Sequence, residues 1–253
     1  MGFKDILLNL PEVAAPAERK LPFKEKLKWT GVVLLLFFAL GLIPLHGLGE
    51  NSLAQFQFLS IILGAEFGSI ISLGIGPIVT ASILLQLLNG SGVLKFDLTT
   101  PDGKKMFQGV QKGLAIVFVL FEAAVYVYTG GLAPSAGGSN LSLVLQLALG
   151  GLLIMLMDEV VSKWGFGSGV SLFIAAGVSK EIIIRLLSPL SSSGNLAFAS
   201  GEAPVGARLA MFYFFVQGDF GEVLANLLVI ATTAVVFIIA VYAQSMKVEL
   251  PLS

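Results

Sequence analysis

Five polar side chains fall inside long apolar stretches of the sequence: Thr80, Gln86, Glu122, Gln146 and Asn226. In hydrocarbon a polar group is costly, so each of these is a functional candidate facing protein, a cavity or a partner. Glu122 is the strongest case. A carboxylate in mid-span costs roughly 2.5 kcal/mol or more on insertion scales, so it should be sheltered or protonated. A proton relay would need a second carboxylate, His or Lys at similar depth, and none accompanies it. Other chemistry is poorly supplied. The chain has one His, His46, and no Cys, which excludes disulfides and most transition-metal sites. His46 lies near the outer end of an apolar run and reads as an interfacial residue. A nucleophilic triad needs a base beside Ser, but His46 lies in a different run from any Gly-flanked Ser. Paired intramembrane Asp residues are absent. No enzyme, metal or cofactor is expected.

Two glycine-rich segments could bring backbones close together. One is Gly74-Ile75-Gly76-Pro77-Ile78-Val79-Thr80, where Pro77 is expected to kink or loosen a helix. The other is Gly165-Phe166-Gly167-Ser168-Gly169. Neither reads as a phosphate cradle, because no strand precedes it and no Lys follows at the required spacing. Helix packing and a flexible turn explain both on periodicity alone.

The elements that must position these residues are membrane helices. Of 253 residues, 56% are hydrophobic and 12% charged, with a mean hydropathy of +0.91. That charge is about half the soluble average and could not solvate a water-facing surface. The net charge of −1 suggests no polyanionic partner. Phe3, Ile6, Leu7 and Leu10 share one helical face, readable as a helix on the membrane surface or one packed on protein. No small-residue cleavage site follows the basic N-terminus, so it does not read as a cleavable signal. Apolar runs at 29–48, 70–88, 114–128, 141–157, 170–187 and 225–241 give six spans across about 30 Å of hydrocarbon. Residues 53–63 are too short to cross and form a half-helix, whose irregular backbone needs protein or water around it. Lys180, Glu181 and Arg185 place the distal end of the fifth span in water, and Asp158 and Glu159 sit where solvation is easy, at the inner end of the fourth. With a cytoplasmic N-terminus, twelve Lys and Arg fall inside; only Lys180, Arg185 and Arg208 fall outside. That asymmetry supports both the count and the orientation.

The segments Ser72–Gly92 (SLGIGPIVTASILLQLLNGSG), Phe107–Gly113 (FQGVQKG), Asp158–Ser179 (DEVVSKWGFGSGVSLFIAAGVS) and Tyr242–Ser253 (YAQSMKVELPLS) resemble, in order, those of the archaeal SecY family and its eukaryotic translocon homologue. The resemblance covers essentially the whole chain, with loops 49–66, 129–140 and 188–222 carrying little of it. It implies a polytopic, all-α transmembrane bundle, the amino-terminal half of a ten-helix protein-conducting channel. The expected organisation is a cytoplasmic amphipathic and basic segment at 1–28, spans one to five at 29–187 and an external loop with an interfacial helix at 188–222. The sixth span and the start of a cytoplasmic loop follow at 223–253. Four further spans complete the family, so the chain is expected to be a fragment.

The resemblance further implies that secretory polypeptides cross through an apolar waist, and that signal sequences and transmembrane segments leave sideways into lipid. Mapped here, the waist residues are Ile75 and Val79, and Val170 and Ile174. Each pair is spaced i, i+4, which places its two side chains on one helical face. A plug is implied near 53–67, with Leu53, Phe56, Phe58, Ile61 and Ile62 as its apolar residues. Thr80 and Gln86 are the implied polar candidates at a lateral gate. The implied partners are SecE (gamma), the small beta subunit, the translating ribosome, the signal recognition particle pathway and the missing carboxy-terminal half, in a cell (plasma) membrane. A secondary transporter built on the broken helix at 53–88 is the alternative. It expects coordinating polar groups at the break, where GIGPIVT offers chiefly apolar side chains.

Overall fold

The computed structural model describes residues 10–17, 21–55, 63–191 and 195–245. All but Leu10 of the segment 3–10, read as a surface or packed helix, and the plug candidates Phe56, Phe58, Ile61 and Ile62 lie outside the described residues. The chain divides into two compact units, Met1–Val178 and Ser179–Ser253.

In the first unit, helix α1 runs Phe23–Gly41, and its buried Thr30, Val33, Phe37 and Leu40 form one stripe at helical spacing. Beyond its charged first turns its other faces are largely open and apolar, as suits a helix solvated by lipid on one side and protein on the other. A short antiparallel ribbon pairs β1 (Leu48–Asn51) with β2 (Leu132–Pro134). This ribbon was not legible in the two segments read as plain external connections. Residues 43–45 also pair with 68–70: the Leu45 N–H donates to the Gly68 carbonyl at 2.9 Å and the Ile70 N–H to Ile43 at 3.0 Å. The chain therefore departs from the end of α1 and returns to the same place.

Helix α2 (Gly76–Gly90) begins later than the apolar run at 70–88 suggests. Pro77 sits in its first turn, where the missing N–H would have had no intrahelical partner, so Pro77 starts the helix and does not kink it. Residues 71–75 before it are buried and irregular. Buried backbone must be hydrogen-bonded, and here several partners come from within the turn. The Ser72 hydroxyl donates to the Ser69 carbonyl at 2.6 Å, and the Ser72 N–H donates to the same carbonyl at 3.1 Å.

Helix α3 (Pro101–Tyr128) is capped by Thr100, whose hydroxyl accepts from the Gly103 N–H, and Asp102 complements the positive end of the helix. Its Ala115, Val119, Ala123 and Val127 are buried at i, i+4 spacing. Helix α4 (Asn140–Trp164) is the central element, buried at nine positions that fall on several of its faces. Helix α5 (Gly169–Leu187) enters the first unit through Phe173, fully buried and stacked 4.9 Å from Phe37 of α1.

In the second unit, α6 (Ala197–Ser200) and α7 (Ala207–Gln217) occupy much of the interval read as an external loop. Helix α8 (Phe220–Ser245) packs on α7 yet buries no residue, and its surface is predominantly apolar.

Helices α3, α4 and α8 are each long and apolar enough to cross a membrane. The other three expected spans differ for local reasons. Helix α1 includes Lys24, Glu25, Lys26 and Lys28, α5 includes Lys180, Glu181 and Arg185, and α2 has 15 residues. Fifteen residues rise about 22 Å, short of the roughly 30 Å of hydrocarbon.

Candidate functional site

The four expected waist residues enter one apolar cluster. Ile75 is 2% exposed and belongs to its core, and Val79, Val170 and Ile174 pack against that core while staying half-buried. On α5, Phe173 points into the body of the protein and is fully covered. Val170 and Ile174, one turn apart, retain an open face beside it. Ile75 departs from its expected setting. It is not within the helix but is the residue just before α2, with φ −87° and ψ −2°. Its N–H donates to the Leu63 carbonyl at 2.8 Å. Gly74 makes that approach possible, with φ at +56°, and a Cβ there would overlap the Leu63 carbonyl.

Among the plug candidates, Leu53 is the described one. It packs in a second, outer cluster with Val127 and Leu132, not with the waist residues.

Thr80 and Gln86 are not brought together. Six residues on one helix place them about 120° apart. Thr80 is exposed; its hydroxyl donates to the Gly76 carbonyl at 2.9 Å and lies 3.5 Å from Glu122 Oε1. A Cβ on Gly76 would stand 3.1 Å from Glu122 Oε2. The carboxylate of α3 thus stands against the first turn of α2, whose macrodipole favours negative charge at that end. Gln86 donates to Ser82 on its own helix. Gln146 accepts from the His46 N–H at 2.8 Å and donates to the His46 carbonyl at 3.1 Å, so it is the backbone of His46 that is used. Asn226 donates to the Glu222 carbonyl within α8.

Beneath the apolar cluster, at the start of α3 and the end of α4, lies a polar cleft of about 270 Å³, with Ile78, Ala115 and Met155 among its walls. Lys112 pairs there with Glu159. The extended segment 10–17 is strapped across these helix ends. The Val13 N–H donates to Glu159 Oε2 at 2.9 Å, Lys163 donates to Glu12 and to the Val13 carbonyl, and Trp164 Nε1 donates to the Ala14 carbonyl. The Lys163 hydrogen bond holds the Glu12 carboxyl below its ordinary range. Asp158 and Glu159 are therefore not simply solvated, as their place at a helix end suggested. Both are half-buried and engaged, Asp158 by the Val170 N–H at 2.9 Å. The local signal was a carboxylate pair followed by a glycine-rich turn; the pairing itself spans separate elements. Among the described residues no group of side chains is arranged to hold a metal.

The candidate site is thus an apolar patch shared by two helix starts, with a polar cleft beneath it. Comparison with known proteins agrees with the motif reading. The SecY family model matches residues 69–253. The chain belongs to the SecY family. It is 49% identical over 251 residues to the protein translocase subunit SecY of Methanothermobacter thermautotrophicus, covering 99% of this chain and 54% of that relative. Among solved structures, a protein conducting channel superposes with a TM-score of 0.79 at 36% identity, covering 99% of this chain and 54% of that one. Canine Sec61, from a ribosome-channel complex of the endoplasmic reticulum, superposes with the same score of 0.79 at 36% identity, covering 100% and 55%. The chain spans about half the length of the curated relatives it matches. This SecY-family chain is thus a helical, multi-pass membrane protein related to protein-translocation channels.

Proposed function

We propose that this chain supplies one half of a protein-conducting channel, with Ile75, Val79, Val170 and Ile174 forming its share of an apolar pore ring. The observation that carries this reading is their convergence in one cluster, in which Val79, Val170 and Ile174 keep an open face. An apolar constriction disfavours water and ions, yet widens around an unfolded polypeptide without binding any one side chain. The other half of the family's fold completes the ring and faces α2 and α3 across a lateral gate. Thr80, set against Glu122, gives that seam a polar element on this side. Gln86 serves there less directly, since it faces another direction. Segment 53–67 is the plug, tied at its far end by the Leu63–Ile75 hydrogen bond.

The N-terminus lies in the cytoplasm of a cell bounded by the plasma membrane in which the channel sits, and the basic inner face meets the translating ribosome. SecE and the beta subunit complete the assembly. The channel carries no fuel of its own and performs no covalent chemistry.

The test is a full-length channel, reconstituted with its partners, carrying a photoreactive residue at position 75, 79, 170 or 174. A stalled secretory precursor is expected to crosslink at all four positions. Crosslinks to lipid alone, or saturable uptake of a small solute, would overturn the reading.

A further inference from the structure

Asp158, near the inner end of α4, does more than terminate a span. Its Oδ1 accepts the Val170 N–H at 2.9 Å, twelve residues along the chain. Val170 is the second residue of α5, and the first four N–H groups of a helix have no partner within it. The usual cap is the residue just before the helix, here Ser168. Its hydroxyl lies 3.5 Å from the Ser171 N–H, at the limit of a hydrogen bond. The stronger cap comes from the preceding helix.

The start of α5 is shaped to receive it. A Cβ at Gly169 would lie 2.6 Å from both the Cα and Oδ1 of Asp158, so no other residue lets α5 begin this close to α4. The intervening turn is pinned from α1 as well, where the Thr30 hydroxyl accepts the Phe166 N–H at 3.2 Å. The neighbouring Glu159 is differently engaged, with Lys112 and the Val13 N–H. The two adjacent carboxylates therefore have separate duties.

We propose that Asp158 is a positioning residue for the pore ring, setting the depth and rotation at which Val170 and Ile174 meet the passage. The proposal rests on the pore reading above and adds a residue that does not line the ring. With the charge-assisted bond in place, α5 cannot slide along its axis without leaving a half-buried N–H unpaired. Without it, Val170 and Ile174 sample a range of positions and the ring closes imperfectly.

The experiment uses the full-length channel with its partner subunits in liposomes and reads resting ion leak per channel. Three variants are compared with wild type: Asp158→Ala, Asp158→Asn and Val170→Gly. Asp158→Ala is expected to leak on the order of tenfold more, from the loss of a hydrogen bond to a charged group. Asp158→Asn should fall between it and wild type, because its amide oxygen accepts a weaker bond. Val170→Gly, which thins the ring directly, should leak. A tight Asp158→Ala beside a leaky Val170→Gly overturns the positioning role and leaves the pore reading standing. A tight Val170→Gly overturns the pore reading, and this proposal with it. A merely structural Asp158 would lower the amount or thermal stability of the channel with no change in leak per channel, and that result also overturns the proposal. Should Asp158→Ala fail to accumulate, the near-isosteric Asp158→Asn decides. Raised leak supports the proposal and wild-type leak overturns it.

Discussion

Replacing Gly74 with alanine would impose two costs at one position. The first is conformational: φ is +56°, and a left-handed backbone costs an L-residue about 1–2 kcal/mol. The second is contact. The new Cβ would overlap the Leu63 carbonyl and lie 2.9 Å from the Ala65 Cβ. Relief requires the 63–65 backbone to move, and that backbone accepts the Ile75 N–H at 2.8 Å. Losing this hydrogen bond adds about 1 kcal/mol, so Gly74→Ala should destabilise by about 2–3 kcal/mol. Gly47 provides the control. Its φ is +79° with nothing within 4 Å of a built Cβ, so Gly47→Ala should show only the conformational cost of about 1–2 kcal/mol. Denaturant unfolding of the full-length protein in detergent micelles would measure both. Equal destabilisation by the two substitutions would refute the claim that residues 63–65 are packed against the start of α2.

Two further predictions concern the polar cleft. The side chains of Lys112 and Glu159 are only 10% and 18% exposed, so Lys112→Met leaves a sheltered carboxylate with only the more distant Lys163, 3.9 Å away. The change should cost about 1–3 kcal/mol, below the value for a fully orphaned buried charge. Adding Glu159→Gln should recover part of that loss; strictly additive unfolding energies would argue against the pair. The Glu12–Lys163 bond makes the strap sensitive to pH. Because the folded pKa of Glu12 is depressed, its contribution is complete above the unfolded value and disappears as pH falls through the folded one. Protease cleavage within residues 10–17 should therefore rise below roughly pH 4. Lys163→Met should flatten that profile, and an unchanged profile in this variant would locate the titration elsewhere.

The spacing of the proposed ring residues was readable from the sequence. The GIGPIV and GSGVSLFI segments place Ile75, Val79, Val170 and Ile174 one turn apart in pairs, and the structure gathers all four. The reading went astray where one pattern served two conformations. Ile70–Leu88 is continuously apolar whether it is wholly helical or begins as a buried turn, so hydropathy could not reveal that α2 starts at Gly76. Pro77 was ambiguous in the same way, since it kinks a helix from inside and opens one from the first turn. Thr80 and Gln86 looked equivalent as polar residues in one span, yet Thr80 stands beside Glu122 of another helix and Gln86 bonds only within its own.

By itself the sequence determined the membrane class, the helical character and the family. Those properties follow from composition, from periodicities of a few residues and from motifs that lie contiguous along the chain. The tertiary structure alone decided that Asp158 caps α5, that Gln146 holds the backbone of His46, and that residues 43–45 rejoin 68–70. Each of these depends on the distance between groups far apart in sequence. That distance is set by how helices pack, which a one-dimensional pattern of polar and apolar residues does not encode.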